Sequence, residues 1–239
     1  HVPQLEFVEV LLSDEPAMEI QVSFYQRLLA MDQVEAIEIL KQFLKDHKHE
    51  AVYDELLMPA LSYAKEDRRR NNLTDHEEVF LFQALREIIE LAGDDLQRAT
   101  LAQDGGAASV TADALPTIKI IGCPAHGEAD EVALLMLRQL LVSKNCSVEV
   151  LSSAALAAEV IARVREENPA LVCIAAVAPD GLDQVRYLSK RLSASFPDLK
   201  LVIGRWGLGE FEQNEGRLTE DSGEMGSTLL QTRDQITNL

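Results

Sequence analysis

The sequence is short of the residues that mark specialised chemistry. Only three cysteines, Cys123, Cys146 and Cys173, occur in 239 residues, and none belongs to a CxxC pair. That excludes a disulfide framework and a structural zinc site, and it points to a reducing compartment. Aromatic residues make up 5%, and no apolar run approaches the length of a membrane span. No GxGxxG follows the first apolar strand, which excludes dinucleotide binding there. Bases are scarce, 22 against 40 acids, for a formal charge of −18. Through Leu115 there are 23 acids and 10 bases, so the acidic excess sits in the first half. A chain of this charge repels phosphate backbones, and nucleic acid is not an expected partner. The chain begins on His1 rather than Met, with no signal-peptide pattern, as expected of a segment of a longer protein.

Apolar residues are plentiful at 47%, enough to give two modest domains a core. Residues 1–14 are apolar-rich and end at Asp14-Glu-Pro. The spacing then predicts helices over Ala17–Ala30, after Asp32 as N-cap, from Glu50, and from Thr74. In the second, Val34, Ile37, Leu40 and Leu44 recur at helical spacing, with Ala36 and Phe43 beside them. The third contains Pro59, which should kink it, and ends in the basic run Lys65-Glu-Asp-Arg-Arg-Arg. That run suits a helix C-terminus and reads as a solvated end rather than a binding patch. The fourth opens with a capping box, Thr74 and Glu77, and carries Val79, Phe80, Ala84, Ile88 and Leu91. Four amphipathic helices joined by short breaks predict an antiparallel bundle over residues 15–102. The small, polar stretch 103–116 reads as a linker.

From residue 117 the pattern alternates. Strands are expected at Ile118–Ile121, Ser147–Leu151, Leu171–Ala175 and Lys200–Ile203, with a further one near Gly216–Thr219. Helices are expected at Glu128–Ser143, Ala154–Glu167, Leu182–Phe196 and Ser227–Ile236. This order predicts a flavodoxin-like, Rossmann-like, doubly wound parallel sheet over residues 117–239, following the all-α part. Ligands of such sheets bind at the C-terminal ends of the strands. The candidate crevice is therefore Gly122, Cys123, His126, Gly127 and Glu128 after the first strand. Pro179, Asp180 and Gly181 join it after the third, and Gly204, Arg205 and Trp206 after the fourth. Arg205 would bind an anion and Trp206 would stack on a ring; equally, the pair would plug the crevice. His126 reads as a ligand contact, a metal ligand, or a plain loop histidine. The other histidines lie in the first half, so no metal site is expected. Cys123 is either a thiol activated by the helix N-terminus or a loop filler. Asp130 and Glu131 are an acid–base pair or ordinary first-turn acids. A phosphate-accepting receiver would need an aspartate where the third strand ends in Ala175-Ala-Val-Ala. No catalytic set emerges, and an enzyme is not expected.

Two resemblances add to this reading. Four helices, a linker and a flavodoxin-like domain resemble the cobalamin-binding module of light-responsive regulators and corrinoid methyltransferase shuttles. The stretch Gly127-Glu-Ala-Asp-Glu-Val-Ala-Leu-Leu-Met is similar to that family's Gly-Glu-x-His-Glu-x-Gly-Leu-Leu-Met. Pro179-Asp-Gly-Leu-Asp-Gln-Val-Arg-Tyr-Leu and Phe196-Pro-Asp-Leu-Lys-Leu-Val-Ile-Gly resemble its third and fourth βα units. The resemblance implies the fold and cobalamin as its cofactor. Asp130 stands where the family has its cobalt-ligating histidine, and Ala133 where it has glycine. Gly204-Arg205, followed by Trp206, replaces the Gly-Gly that makes room for the nucleotide tail, and the cap histidine falls near Val79. These departures imply the fold without the cofactor. The second resemblance is to the segment after the last membrane helix, and the soluble tail, of autoinducer-2-exporter-like permeases. It is carried by residues 1–18, by Phe24-Tyr-Gln-Arg-Leu-Leu-Ala-Met-Asp-Gln-Val-Glu-Ala and by Val52-Tyr-Asp-Glu-Leu-Leu-Met-Pro-Ala-Leu.

Together these imply a regulatory domain on the cytoplasmic side of the inner membrane, with residues 1–14 as its juxtamembrane segment. Its partners would be its own transmembrane domain, an unknown small ligand at the crevice and a second copy. The alternatives are a cobalamin sensor, a corrinoid methyl-transfer shuttle and a dimerisation scaffold.

Overall fold

The structure is a computed structural model that describes residues 19–103, 117–207 and 224–238. Residues 1–14, nearly all of the expected linker, and the strand expected at Gly216–Thr219 lie outside these ranges. Helix α1 (Ile20–Leu29) buries Phe24, Tyr25 and Leu28. Helix α2 (Gln33–Asp46) opens on Asp32, whose side chain accepts from the Glu35 amide at 3.0 Å, as its sequence predicts. Its buried stripe is Ala36, Leu40 and Phe43. Val34 is 74% exposed instead of buried. Two residues turn a helix by about 200°, so Val34 and Ala36 face opposite ways.

The next helix is entered through a π-helical turn, Tyr53–Leu57, and continues as α3 (Met58–Arg69). Pro59 sits inside a helical run that is continuous over residues 51–69, directly after the wide π-helical turn that accommodates its missing N–H. Helix α4 (Asp75–Gln103) begins with the expected reciprocal cap. The Thr74 amide donates to Glu77 at 2.8 Å and the Glu77 amide to Thr74 Oγ1 at 3.3 Å. It buries Leu81, Leu85, Ile88 and Ala92, whereas Val79 and Leu91 are exposed.

Five parallel strands follow: β1 (Ile118–Pro124), β2 (Cys146–Val150), β3 (Leu171–Val177), β4 (Lys200–Trp206) and β5 (Glu224–Gly226). Their order is β2-β1-β3-β4-β5. Helices α5 (Glu128–Leu141), α6 (Ala157–Glu167) and α7 (Leu182–Ser195) connect the first four strands, and α8 (Leu229–Thr237) follows β5. Alternation sorts the strands' side chains into two cores. Ile120, Cys173, Ala175, Val177, Val202 and Trp206 join α5, α8 and all four N-terminal helices. Ile121, Cys123, Val172, Ile174 and Ile203 pack under α6 and α7. The helical part thus shares one core with one face of the sheet. No helix among the described residues is long and apolar enough to cross a membrane.

Helix α8 is tied to the helical part at its first turn. Asp54, in the π-helical turn, accepts from the amides of Leu229 at 2.8 Å and Leu230 at 3.0 Å. Arg233 pairs with Glu50 at 2.6 Å. Burial pushes the Asp54 carboxyl up, opposed by these amides. Asp54→Ala should cost about 1–2 kcal/mol, typical of a lost helix cap. It would be read as a lower urea midpoint at unchanged slope. A midpoint equal to that of the wild type would mean α8 is held by other contacts.

Candidate functional site

The sheet's strand order reverses between β1 and β3, and the crevice of such a sheet opens there. Asp130, in the first turn of α5, spans that point. It is fully buried, and its Oδ2 accepts from the His126 amide at 2.7 Å, in the loop after β1. Its Oδ1 accepts from the Val177 amide at 2.9 Å, at the end of β3. Lys65 reaches in from α3, with Nζ 3.6 Å from Oδ1 and a 2.6 Å hydrogen bond to the Val177 carbonyl. One carboxylate and one ammonium therefore join α3, α5, the β1 loop and β3. Burial pushes the Asp130 carboxyl up, while Lys65 and the two amides pull it down. Glu131 points elsewhere, to Arg86 of α4 at 2.8 Å and to the Ser153 amide at 2.9 Å. The two adjacent acids diverge, so they do not form an acid–base pair.

Beside this knot lies an open cleft of about 300 Å³ between the helical part and the strand ends. It is lined by Lys65, Arg68, Arg69, Glu78 and Phe82 on one side, and by His126–Ala129 and Asp180 on the other. Arg68 pairs with Asp75 at 2.7 Å and Glu78 at 3.1 Å, and Glu128 with Arg86 at 3.1 Å. Helix α5 starts at Gly127 with φ of 86°, which a side chain would adopt only with strain. No side chain caps that helix start.

The sequence-selected residues separate into two groups. His126, Gly127, Glu128 and Asp180 rim the cleft, with Pro179 and Gly181 in the adjoining β3–α7 loop. Gly122, Cys123, Gly204, Arg205 and Trp206 are instead buried strand residues, because β1 and β4 each run three residues further than expected. Gly122 packs beneath Leu134 of α5. Cys123 is 1% exposed, and burial pushes its thiol up, which rules out the activated-thiol reading. Burial likewise pushes Cys173 up to about 12. Arg205 is turned inward and holds the β3–α7 loop, donating to the Asp180 carbonyl at 2.5 Å and the Pro179 carbonyl at 2.6 Å. It is not among the residues that line the cleft. Trp206 fills the interior and donates from Nε1 to Thr232 Oγ1 at 3.0 Å. Among the described residues, no three His, Cys, Asp or Glu side chains gather to hold a metal ion.

Lys65 is the residue that sequence reasoning missed. Its signal was helical phase: it follows Leu61 by four and Ala64 by one, at the edge of the buried stripe.

No protein-family model and no curated protein matches the chain. Among solved structures, the monomethylamine corrinoid protein of Methanosarcina barkeri is similar over 92% of this chain and 98% of its own, at 11% identity and a TM-score of 0.60. A cobalamin-binding protein of Desulfitobacterium hafniense is similar over 93% and 98%, at 18% identity and 0.42. The methanol:cobalamin methyltransferase complex of M. barkeri is similar over 98% and 92%, at 15% identity and 0.38. The chain has the fold of the first of these, a helical part followed by a Rossmann-like parallel sheet.

Proposed function

We propose that this chain is a regulatory module that keeps a corrinoid-protein fold without the corrinoid, and that it serves as the cytoplasmic tail of a permease. The structural neighbours bear the names of corrinoid and cobalamin proteins, so the cofactor's fit to these residues has to be tested. The fit fails at two places. Both oxygens of Asp130, at the position aligned with the cobalt-ligating histidine, already accept backbone amides, and the carboxylate is fully buried beside Lys65. Trp206 fills the space above Gly204, where the resemblance calls for room.

The observation that carries the regulatory reading is the cleft itself. Its walls come from both parts of the chain, and one of its lining residues, Lys65, pairs with the buried Asp130. A small ligand or partner seated there touches α3, α4 and the strand ends together. Binding would bias how the helical part sits on the sheet, which is what a relay to a membrane domain requires. The permease connection rests on the similarity of residues 1–18, 24–36 and 52–61 to permease tails.

Fractionation of cells that carry the natural gene tests it. An antibody raised against this domain should detect a band in the membrane pellet, well above 26.5 kDa, that resists carbonate extraction and dissolves in detergent. A soluble band of about the domain's own mass would refute the permease reading.

A further inference from the structure

Strand β2 is an edge of the sheet, since the order β2-β1-β3-β4-β5 gives it a single neighbour. Two hydrogen bonds fix which way its backbone groups point. The Ile118 amide donates to the Asn145 carbonyl at 3.1 Å, and the Leu151 amide donates to the Gly122 carbonyl at 2.9 Å. Backbone groups alternate in direction along a strand, so the odd-numbered residues of β2 turn theirs towards β1. The N–H and C=O groups of Cys146, Val148 and Val150 therefore point outward, and no described strand takes them up. The side chains of these three residues pack against the core shared with the helical part, yet stay only partly buried. Val142, just before the strand, and Leu156, just after it, are exposed.

We infer that this edge is an interface for a second copy of the chain, the two β2 strands pairing antiparallel about a two-fold axis through Val148. An open edge is a template for another strand, and the sequence of this one is complementary to itself. With the axis at Val148, every residue of Cys146–Val150 finds a partner. Val148 faces Val148 of the second copy and Cys146 faces its Val150, so partly buried side chains complete each other's cover. On the opposite face Ser147 stands against Glu149, a hydroxyl against a carboxylate, and no like charges meet. Moving the axis to Glu149 would set two carboxylates against each other. Moving it to Ser147 would leave Val150 opposite Lys144, outside the strand. The outward groups of the two strands exchange about six main-chain hydrogen bonds. Antiparallel pairing also brings the start of one strand, with Val142, to the end of the other, with Leu156. Such an interface uses the same patch on both copies and closes on itself. Each copy carries a formal charge of −18, so the dimer tightens as salt screens the repulsion. The inference goes beyond the regulatory reading and uses no residue of the cleft.

Sedimentation equilibrium of the purified chain, from about 1 μM to about 1 mM, tests this. The mass should climb from 26.5 kDa towards twice that value. The rise should come at lower protein concentration in about 0.5 M salt than in about 0.05 M. Val148→Pro removes an outward N–H that β1 does not use, so the variant should keep the wild-type circular dichroism and remain monomeric. Should proline unfold the strand, the exposed Ser147 still decides the matter. Ser147→Glu sets a like charge opposite Glu149 twice across the axis and should weaken the dimer about tenfold. Ser147→Lys sets opposite charges there and should tighten it about as much. A wild type that stays monomeric up to about 1 mM would overturn the inference. A dimer whose affinity is the same in the wild type and in both Ser147 variants would overturn it too, because its interface then lies elsewhere. None of these outcomes alters the fractionation result, so the permease reading stands or falls separately.

Discussion

Asp130→Ala should be the most damaging single change at the crevice, costing about 3–5 kcal/mol, the usual penalty for leaving one member of a buried ion pair alone. The substitution strips the Val177 amide, which is buried, and the His126 amide of their acceptor. It also leaves Lys65, whose side chain is 9% exposed, with only the Val177 carbonyl. Lys65→Met should cost less, because Asp130 keeps both amides. The double variant should be no worse than Asp130→Ala alone, because the stranded ammonium is then gone. Denaturant titration of the four proteins measures this, and strictly additive losses would show that the two residues do not act as a pair. The pH dependence gives a second readout. Burial holds the Asp130 pKa above its unfolded value, so the charged form weakens folding at pH above both values, and protonation relieves this below them. The stability difference between the wild type and Asp130→Asn should therefore grow as pH falls from neutrality towards about 4. A flat difference would mean the carboxyl titrates at its ordinary value in the folded protein.

Gly204→Ala should be severely destabilising in the wild type and nearly harmless once Trp206 is alanine. A methyl group at residue 204 overlaps the indole atoms Cζ2, Cε2 and Cη2, so the ring must leave its slot or β4 must shift away from its neighbours. Overpacking of this kind costs about 1–3 kcal/mol and more where a large ring has nowhere to go. Trp206→Ala by itself should cost about 3–5 kcal/mol, the range for emptying a buried aromatic site. In the double variant the new methyl enters vacated space, so the second substitution adds little. A coupling of at least about 2 kcal/mol is the expected outcome of the cycle. Additivity within error would place the indole elsewhere than over Gly204.

Much of the fold is legible in the sequence, and the illegible parts have identifiable causes. The alternation after residue 117 places four strands in one parallel sheet, and the Asp32 and Thr74 caps set the starts of α2 and α4. Strand ends were harder. Gly204-Arg-Trp looks like loop chemistry, yet Gly204 is needed for the ring above it, and Arg205 spends its guanidinium on the carbonyls of a neighbouring loop. Those partners lie 25 and 26 residues away, beyond any local pattern. Val34 and Val79 show the same limit on helices, since an apolar residue reports hydrophobicity but not which way its helix is turned. Asp130 was visible as a departure from a family pattern, but its role required Lys65 and Val177 to be brought beside it in space. The cationic wall of the cleft was hidden inside a run of charges that reads as an ordinary helix end.

The cap on α8 also governs the order of events during synthesis. Asp54 and the Leu229 amide it holds are 175 positions apart, so this contact forms only after 175 further residues have been translated. At about 5–20 residues per second, the first helices wait roughly ten seconds or longer for the segment that completes their core. During that wait the π-helical turn lacks α8, which packs on it in the finished fold, and is open to chaperones or to another nascent chain. Long-range closure of this kind slows folding. A ribosome-stalled product ending before Leu229 should accordingly be protease-sensitive in its N-terminal helices, even though none of their own residues is missing.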